Sequence, residues 1–113
     1  MEVERVVAKR LMDATGIPAF LEVPEKRPDE FITVEQTGTG GTKFARIYYL
    51  AVQSWAMDRR LAAEIADLVE EAVYDLDEEP NIFYPKATST YRFPDPDSKQ
   101  DRYQTTVELV ICK

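Results

Sequence analysis

Asp95 and Asp97 stand two residues apart in the segment PDPDSKQ, and paired carboxylates at that spacing could hold a hard cation through oxygen ligands. A calcium loop wants more acids and a glycine at fixed spacing, and Lys99 competes for these carboxylates. Turn stabilisation or a subunit salt bridge is therefore the better reading of the pair. The glycines of TGTGGTK, residues 37–43, could cradle a phosphate. A phosphate loop needs Lys and Ser/Thr directly after its last glycine and then a helix, whereas Lys43 leads into a strand pattern. This stretch, the most flexible by composition, reads as a hairpin loop. Ser54, Ser89 and Ser98 lack an activating base, because the chain has no histidine. The same absence removes the usual neutral-pH acid–base residue and the commonest zinc ligand. Cys112, the single cysteine, sits in an apolar strand pattern and reads as a small buried hydrophobe. No dinucleotide-binding fingerprint follows a strand. Neither catalysis, nor a metal, nor a cofactor is expected. Recognition is better supplied: Tyr48, Tyr49, Trp55, Phe83, Tyr84, Tyr91, Phe93 and Tyr103 concentrate in strand-like stretches. Tyrosine and tryptophan bury a large area and keep one polar atom to pair, which suits interfaces as well as cores. Trp55 itself reads as core.

The elements that carry these residues centre on residues 44–75. FARIYYLAVQSWA is a long strand with Ile47, Tyr49, Ala51 and Trp55 on one face and Tyr48, Leu50, Val52 and Ala56 on the other. Two apolar faces predict a central strand, or one covered by another subunit. Asp58 then offers an N-cap to an amphipathic helix whose stripe is Leu61, Ile65, Leu68, Val69, Ala72 and Val73. An opening helix is predicted over residues 2–13, with Val3, Val6, Val7, Leu11 and, at the edge, Met12 as its stripe and Thr15-Gly16 as its stop. Strands are predicted over residues 17–23, 31–37, 81–93 (interrupted at Pro85) and 102–112, with turns at PEKRPDE and PDPDSKQ. In the fourth, Phe83, Ala87, Ser89, Tyr91 and Phe93 share one register. The order is α-β-β-β-α-β-β. Short turn-rich connections predict antiparallel hairpins, so the expectation is one α+β domain over residues 1–113, with both helices on one face of a mainly antiparallel sheet.

The length suits one ordinary domain, and 44% apolar residues with twelve aromatics exclude a disordered chain. No apolar run approaches the length of a membrane span. MEVERVVAKR mixes acids with bases and does not read as a signal peptide, so synthesis and assembly in the cytoplasm are expected. Net charge is −7, and Asp67, Glu70, Glu71, Asp75, Asp77, Glu78 and Glu79 run without an intervening Lys or Arg. That balance argues against nucleic-acid binding. The acids make either a solvated helix face or a surface that selects basic partners.

Three stretches carry a likeness: VPEKRPDEFITVEQTG, YYLAVQSWA running into an Ala-rich helix, and YRFPDPDSKQDRYQTTVEL. In this order, behind an opening amphipathic helix, they resemble the tail terminator proteins of long-tailed bacteriophages, especially those of actinobacterial phages. The likeness covers nearly the whole chain, with Lys99 standing where such chains often carry glycine. It implies an α+β virion structural protein without a cofactor. Members form a ring, generally hexameric, at the head-proximal end of the tail, where it caps the tube, stops its polymerisation and offers a docking surface for the head. The implied partners are further copies of the chain, the tail tube protein and the head–tail connector protein.

A ring needs a head-to-tail interface that closes. The interface is expected at Tyr91, Phe93, Arg102 and Tyr103, which flank the PDPD turn, with acids near Arg102 for it to meet. Contacts to tube or connector are expected at two hairpin tips: Thr37, Gly38, Thr39, Gly40, Gly41, Thr42 and Lys43, and Asp95, Pro96, Asp97 and Ser98. A head–tail connector or tail-completion protein is the neighbouring alternative. A monomeric protein-binding module using an open sheet edge is the alternative of another class.

Overall fold

The computed structural model describes residues 2–112. Helix α1, Val3–Thr15, ends where Gly16 takes φ 75° and returns its amide to the Met12 carbonyl, the left-handed stop expected of Gly16. A two-residue strand β1, Ala19–Phe20, follows, then β2, Phe31–Gly41, and β3, Ala45–Ala56. Asp58 caps α2, Arg59–Val73, by accepting from the Leu61 amide at 2.8 Å. A 3-10 turn, Tyr74–Glu78, extends it before β4, Ile82–Arg92, and β5, Asp101–Cys112. No helix among the described residues is long and apolar enough to cross a membrane.

The five strands lie in the order β1-β2-β3-β5-β4, so β3 is central, as its two apolar faces require. All neighbours are antiparallel except β1 and β2. β1 lies at the sheet edge, but it is two residues long and parallel to β2, which corrects the expectation of a strand over residues 17–23 in an antiparallel hairpin. Pro18 contributes only its carbonyl, which accepts from the Ile32 amide at 2.8 Å. Residues 21–30 then cross back over the sheet, which is what parallel pairing demands.

Both helices cover one face. Val3, Val7 and Leu11 of α1 and Ala62, Ile65, Val69 and Val73 of α2 close on Ile32, Val34, Leu50, Val52, Val107 and Leu109. Each large aliphatic side chain buried there contributes roughly 1.5–3 kcal/mol. Leu68, assigned to the α2 stripe, lies on an exposed shoulder instead, because the stripe is narrower than the periodicity allows, while Met12 is exposed at the edge of the α1 stripe, as expected there. Part of the acidic run is used internally. Arg10 pairs with Glu79 at 2.7 Å and with Glu78 at 3.6 Å, and the Thr90 hydroxyl donates to Glu70.

Three further expectations are corrected. TGTGGTK is not a loop: β2 continues to Gly41, pairing Gly38, Thr39, Gly40 and Gly41 with Tyr49, Tyr48, Ile47 and Arg46. The Tyr49 ring lies along this glycine backbone, so a Cβ on Gly40 would already touch its hydroxyl at 3.4 Å. Gly41 has φ 81°, and a Cβ there would stand 2.3 Å from the Ala45 carbonyl, so the turn requires glycine at this position. Ala87 does not share a face with Phe83, because β-bulges between Phe83 and Lys86 and between Ala87 and Ser89 turn it onto the core. Cys112 is exposed, since β5 outruns the cover of the helices at its last residues.

Candidate functional site

The face away from the helices is free of secondary-structure cover, and strand alternation arranges it in rungs. From the hairpin end they are Ile47–Val110–Phe83, Tyr49–Glu108–Lys86, Ala51–Thr106–Ser89, Gln53–Gln104–Tyr91 and Phe31–Trp55–Arg102. The second rung holds an ion pair, Lys86 to Glu108 at 3.5 Å. The small residues of the third leave a depression of about 460 Å³ floored by Ala51 and Thr106, between Tyr49 and Gln104. Glu108 is its one carboxylate, so it lacks the convergent ionisable set that acid–base chemistry needs. Among the described residues no group of three or more Cys or acidic side chains is placed to hold a metal ion.

The fourth rung is a one-way relay of hydrogen bonds. Trp55 Nε1 donates to Thr33 Oγ1 at 3.1 Å, Thr33 Oγ1 to Gln53 Oε1 at 3.2 Å, and Gln53 Nε2 to Gln104 Oε1 at 2.9 Å. Gln104 Nε2 then donates to the Tyr91 hydroxyl. Four strands are tied by side chains alone, and the relay ends on an exposed tyrosine near the sheet edge.

The fifth rung is where the motifs meet. Trp55 is 1% exposed, stacked on Phe31 with ring centroids 5.2 Å apart. The Arg27 and Arg102 guanidinium carbons lie 5.3 and 4.8 Å from its ring centroid. Arg102 also lies 4.3 Å over the Phe93 ring and donates from Nε to the Phe93 carbonyl at 2.7 Å. Such cation–π contacts are strengthened where water is excluded. Above them, residues 21–30 and 94–100 clasp each other: Arg27 reaches Asp95 at 3.4 Å, and Gln100 Nε2 donates to the carbonyls of Pro28 and Asp29 at 2.9 and 3.3 Å.

Asp95 is a turn residue rather than a cation ligand. Its carboxylate accepts from the Asp97 amide at 3.1 Å, and this bond, then the Ser98 hydroxyl and Arg27, hold its pKa below the ordinary aspartate value of 3.8. A depressed folded pKa contributes stability above that ordinary value and loses it as pH falls through the lower folded one. Asp95→Asn is therefore expected to be less stable than the native protein at pH 5, with the gap shrinking towards pH 3. Urea midpoints at the two pH values measure it, and a gap that stays constant would rule out this linkage.

Of the expected interface residues, the structure brings three together. Tyr91 and Phe93 meet edge to face at 6.2 Å, 42% and 41% exposed, with Arg102 beside them. Arg102 packs on rings and carbonyls, while its neighbour Asp101 takes Arg92 at 3.1 Å. Tyr103 is not part of this patch: it lies opposite Ser54 on the helix side and packs against the core. The two expected contact tips stand at opposite ends of β3. The true hairpin tip is residues 42–44, where Thr42 Oγ1 accepts from the amides of Phe44 and Ala45 and Phe44 is 67% exposed. Residues 95–98 lie beyond the other end, where Ala56 pairs with Asp101. The molecule is 43 Å long. Sequence reasoning missed Arg27, Thr33, Gln53 and Gln104. Their one signal was that Gln53 shares the parity of Trp55.

No family model matches the chain, and no curated protein matches it. The fold is known among solved structures. A chain of the structure described as "Virion of native gene transfer agent (GTA) particle" superposes with a TM-score of 0.77 at 9% identity, over 98% of this chain and 95% of that one. The two chains share the α+β fold from end to end.

Proposed function

We propose that this chain is a virion structural protein, a tail terminator whose ring caps the tail tube at its head-proximal end and offers the surface to which the head is joined. One observation carries the reading: the segments that resemble the terminator family converge on one place. VPEKRPDEF and PDPDSKQDRYQ, far apart in sequence, clasp over the tryptophan of YYLAVQSWA. The stretches that carry the resemblance thus meet in one contact of this chain rather than lying scattered over it. The fold held in common with a chain of a virion particle supports the same reading. The role is architectural and uses no cofactor.

The shape suits a cap. Tips at opposite ends of a rigid sheet can address two partners, tube on one side and connector on the other. Residues 42–44 form one tip, with Lys43 standing 5.0 Å over the Phe44 ring. Lys43→Glu combined with Phe44→Ser changes only exposed side chains. It is expected to leave the melting temperature within about 2–4 °C of the native value, since exposed substitutions rarely exceed ±0.5 kcal/mol. Electron microscopy with the cognate tube protein should show native rings at tube ends and bare, over-long tubes with the variant. Normal capping by the variant would remove this tip from the contact. Rings that bind connector but never tube ends would favour the connector reading.

A further inference from the structure

Tyr84 has φ 52°, a left-handed conformation that a bulky residue rarely takes, and is 80% exposed. The cause is local. Tyr84 and Pro85 form the bulge between Phe83 and Lys86; Pro85 turns inward and is buried, which throws Tyr84 outward from β4. Its hydroxyl has no hydrogen-bond partner among the described residues. A strained, exposed aromatic on an edge strand is a knob without a socket.

The opposite edge of the sheet supplies the other half. β1 covers β2 only at Ile32 and Thr33, and Glu4 of α1 caps the next outward amide, that of Gln36, at 2.8 Å. No strand among the described residues pairs with the outer edge of β2 over residues 37–41. That free stretch is Thr-Gly-Thr-Gly-Gly, with almost no side chain to keep a neighbour away. It also lies at the height of the knob. The bulge stands opposite Leu109, Leu109 pairs with Tyr48, and Tyr48 pairs with Thr39. Since β2, β3, β5 and β4 alternate in direction, rotating a second copy into place brings its β2 alongside β4 in the antiparallel sense.

We infer that Tyr84 of one copy seats against the glycine edge, residues 38–40, of the next copy, forming the head-to-tail contact. The occupant is a second copy because knob and bare edge lie on opposite flanks of one chain, at one height and in compatible sense. Such a heterologous contact repeats around a ring. The bulges and Pro85 prevent a long ladder at β4, so this is a knob on a backbone edge rather than an extended sheet. The inference rests on the ring reading. It assigns the glycine strand to the subunit contact and leaves residues 42–44 free for tube or connector.

Cross-linking tests it. In a Cys112→Ser background, Lys86→Cys and Thr39→Cys are prepared separately and treated with a short bis-maleimide, alone and mixed. Adding Tyr84→Ala to the Lys86→Cys chain tests the knob itself. The expected result is a cross-linked dimer only in the mixture, with its yield cut at least tenfold by Tyr84→Ala. A dimer from Lys86→Cys alone, or rings seen by microscopy without a mixed dimer, would overturn this contact and leave the ring standing. Unchanged yield with Tyr84→Ala would overturn the knob. A native protein that stays monomeric in sedimentation and never decorates tube ends would overturn the ring reading and this contact together.

Discussion

Replacing Trp55 with alanine is expected to lower stability by about 3–5 kcal/mol, the range for truncating a large buried aromatic. The ring is 1% exposed, and its loss leaves a cavity beneath Arg27 of residues 21–30 and Arg102 of β5, which lie over it. Phe31 loses its stacking partner, two guanidiniums lose a face to lie on, and the relay through Thr33 loses its first donor. Trp55→Phe separates these terms. It keeps a ring against Phe31 but removes the Nε1 donor and part of the buried indole volume, for about 1–3 kcal/mol in all. Because Trp55 is the only tryptophan, unfolding must be followed by circular dichroism. A loss below about 1 kcal/mol for alanine would mean that the loops close without the ring. The functional consequence follows from place: with Trp55 gone, the clasp between residues 21–30 and 94–100 loses its floor. On the proposed terminator reading, head joining or capping should then fail at temperatures where the helix-covered core is still folded.

Strand alternation made most of this legible in advance. Period two along FARIYYLAVQSWA assigned both faces of β3 residue by residue, and the helix-side core follows that assignment. Asp58 and Gly16 announced a helix start and a helix end through side-chain and backbone chemistry that acts within four residues. Effects that depend on distant partners were not legible. TGTGG has the composition of a loop, but glycine forms a strand when a neighbouring ring supplies the cover it lacks, and Tyr49 does so from β3. The bulges in β4 reverse the parity of Ala87, and only Pro85 hinted at one of them. Tyr103 and Arg102 are adjacent in sequence and so point to opposite faces. Alternation therefore divides the expected set, with Arg102 beside Tyr91 and Phe93 and Tyr103 against the core. The clasp could not be read at all, because Arg27 and Asp95 look like ordinary charges in two separate turns until the fold brings them to 3.4 Å.

Arg102→Glu is expected to cost about 2–3 kcal/mol, which changes how this residue can be tested as an interface group. Its guanidinium sits between the Trp55 and Phe93 rings and holds the Phe93 carbonyl. Two partly desolvated cation–π contacts are worth about 0.5–2 kcal/mol each, and a charged hydrogen bond about 1.5–3 kcal/mol before the lost hydration is counted. A glutamate there would also place a carboxylate against the electron-rich ring faces and near Asp95, whose depressed pKa depends partly on Arg102. Loss of assembly by this variant alone would therefore be ambiguous between a failed interface and a loosened fold. Arg102→Lys keeps the charge near the rings but gives up the planar stack and fork, and should lose about half as much. Phe93→Ser removes one ring beneath Arg102 and Tyr91→Ser the last acceptor of the relay, so each should lose about 0.5–2 kcal/mol, less than Arg102→Glu. If Tyr91, Phe93 and Arg102 form a subunit contact, sedimentation at matched concentration should show association weakened by the two serine variants by more than their small loss of stability accounts for. If only the Arg102 variants weaken it, in step with their melting temperatures, the patch is a structural lock over Trp55 and the ring contact lies elsewhere on the sheet.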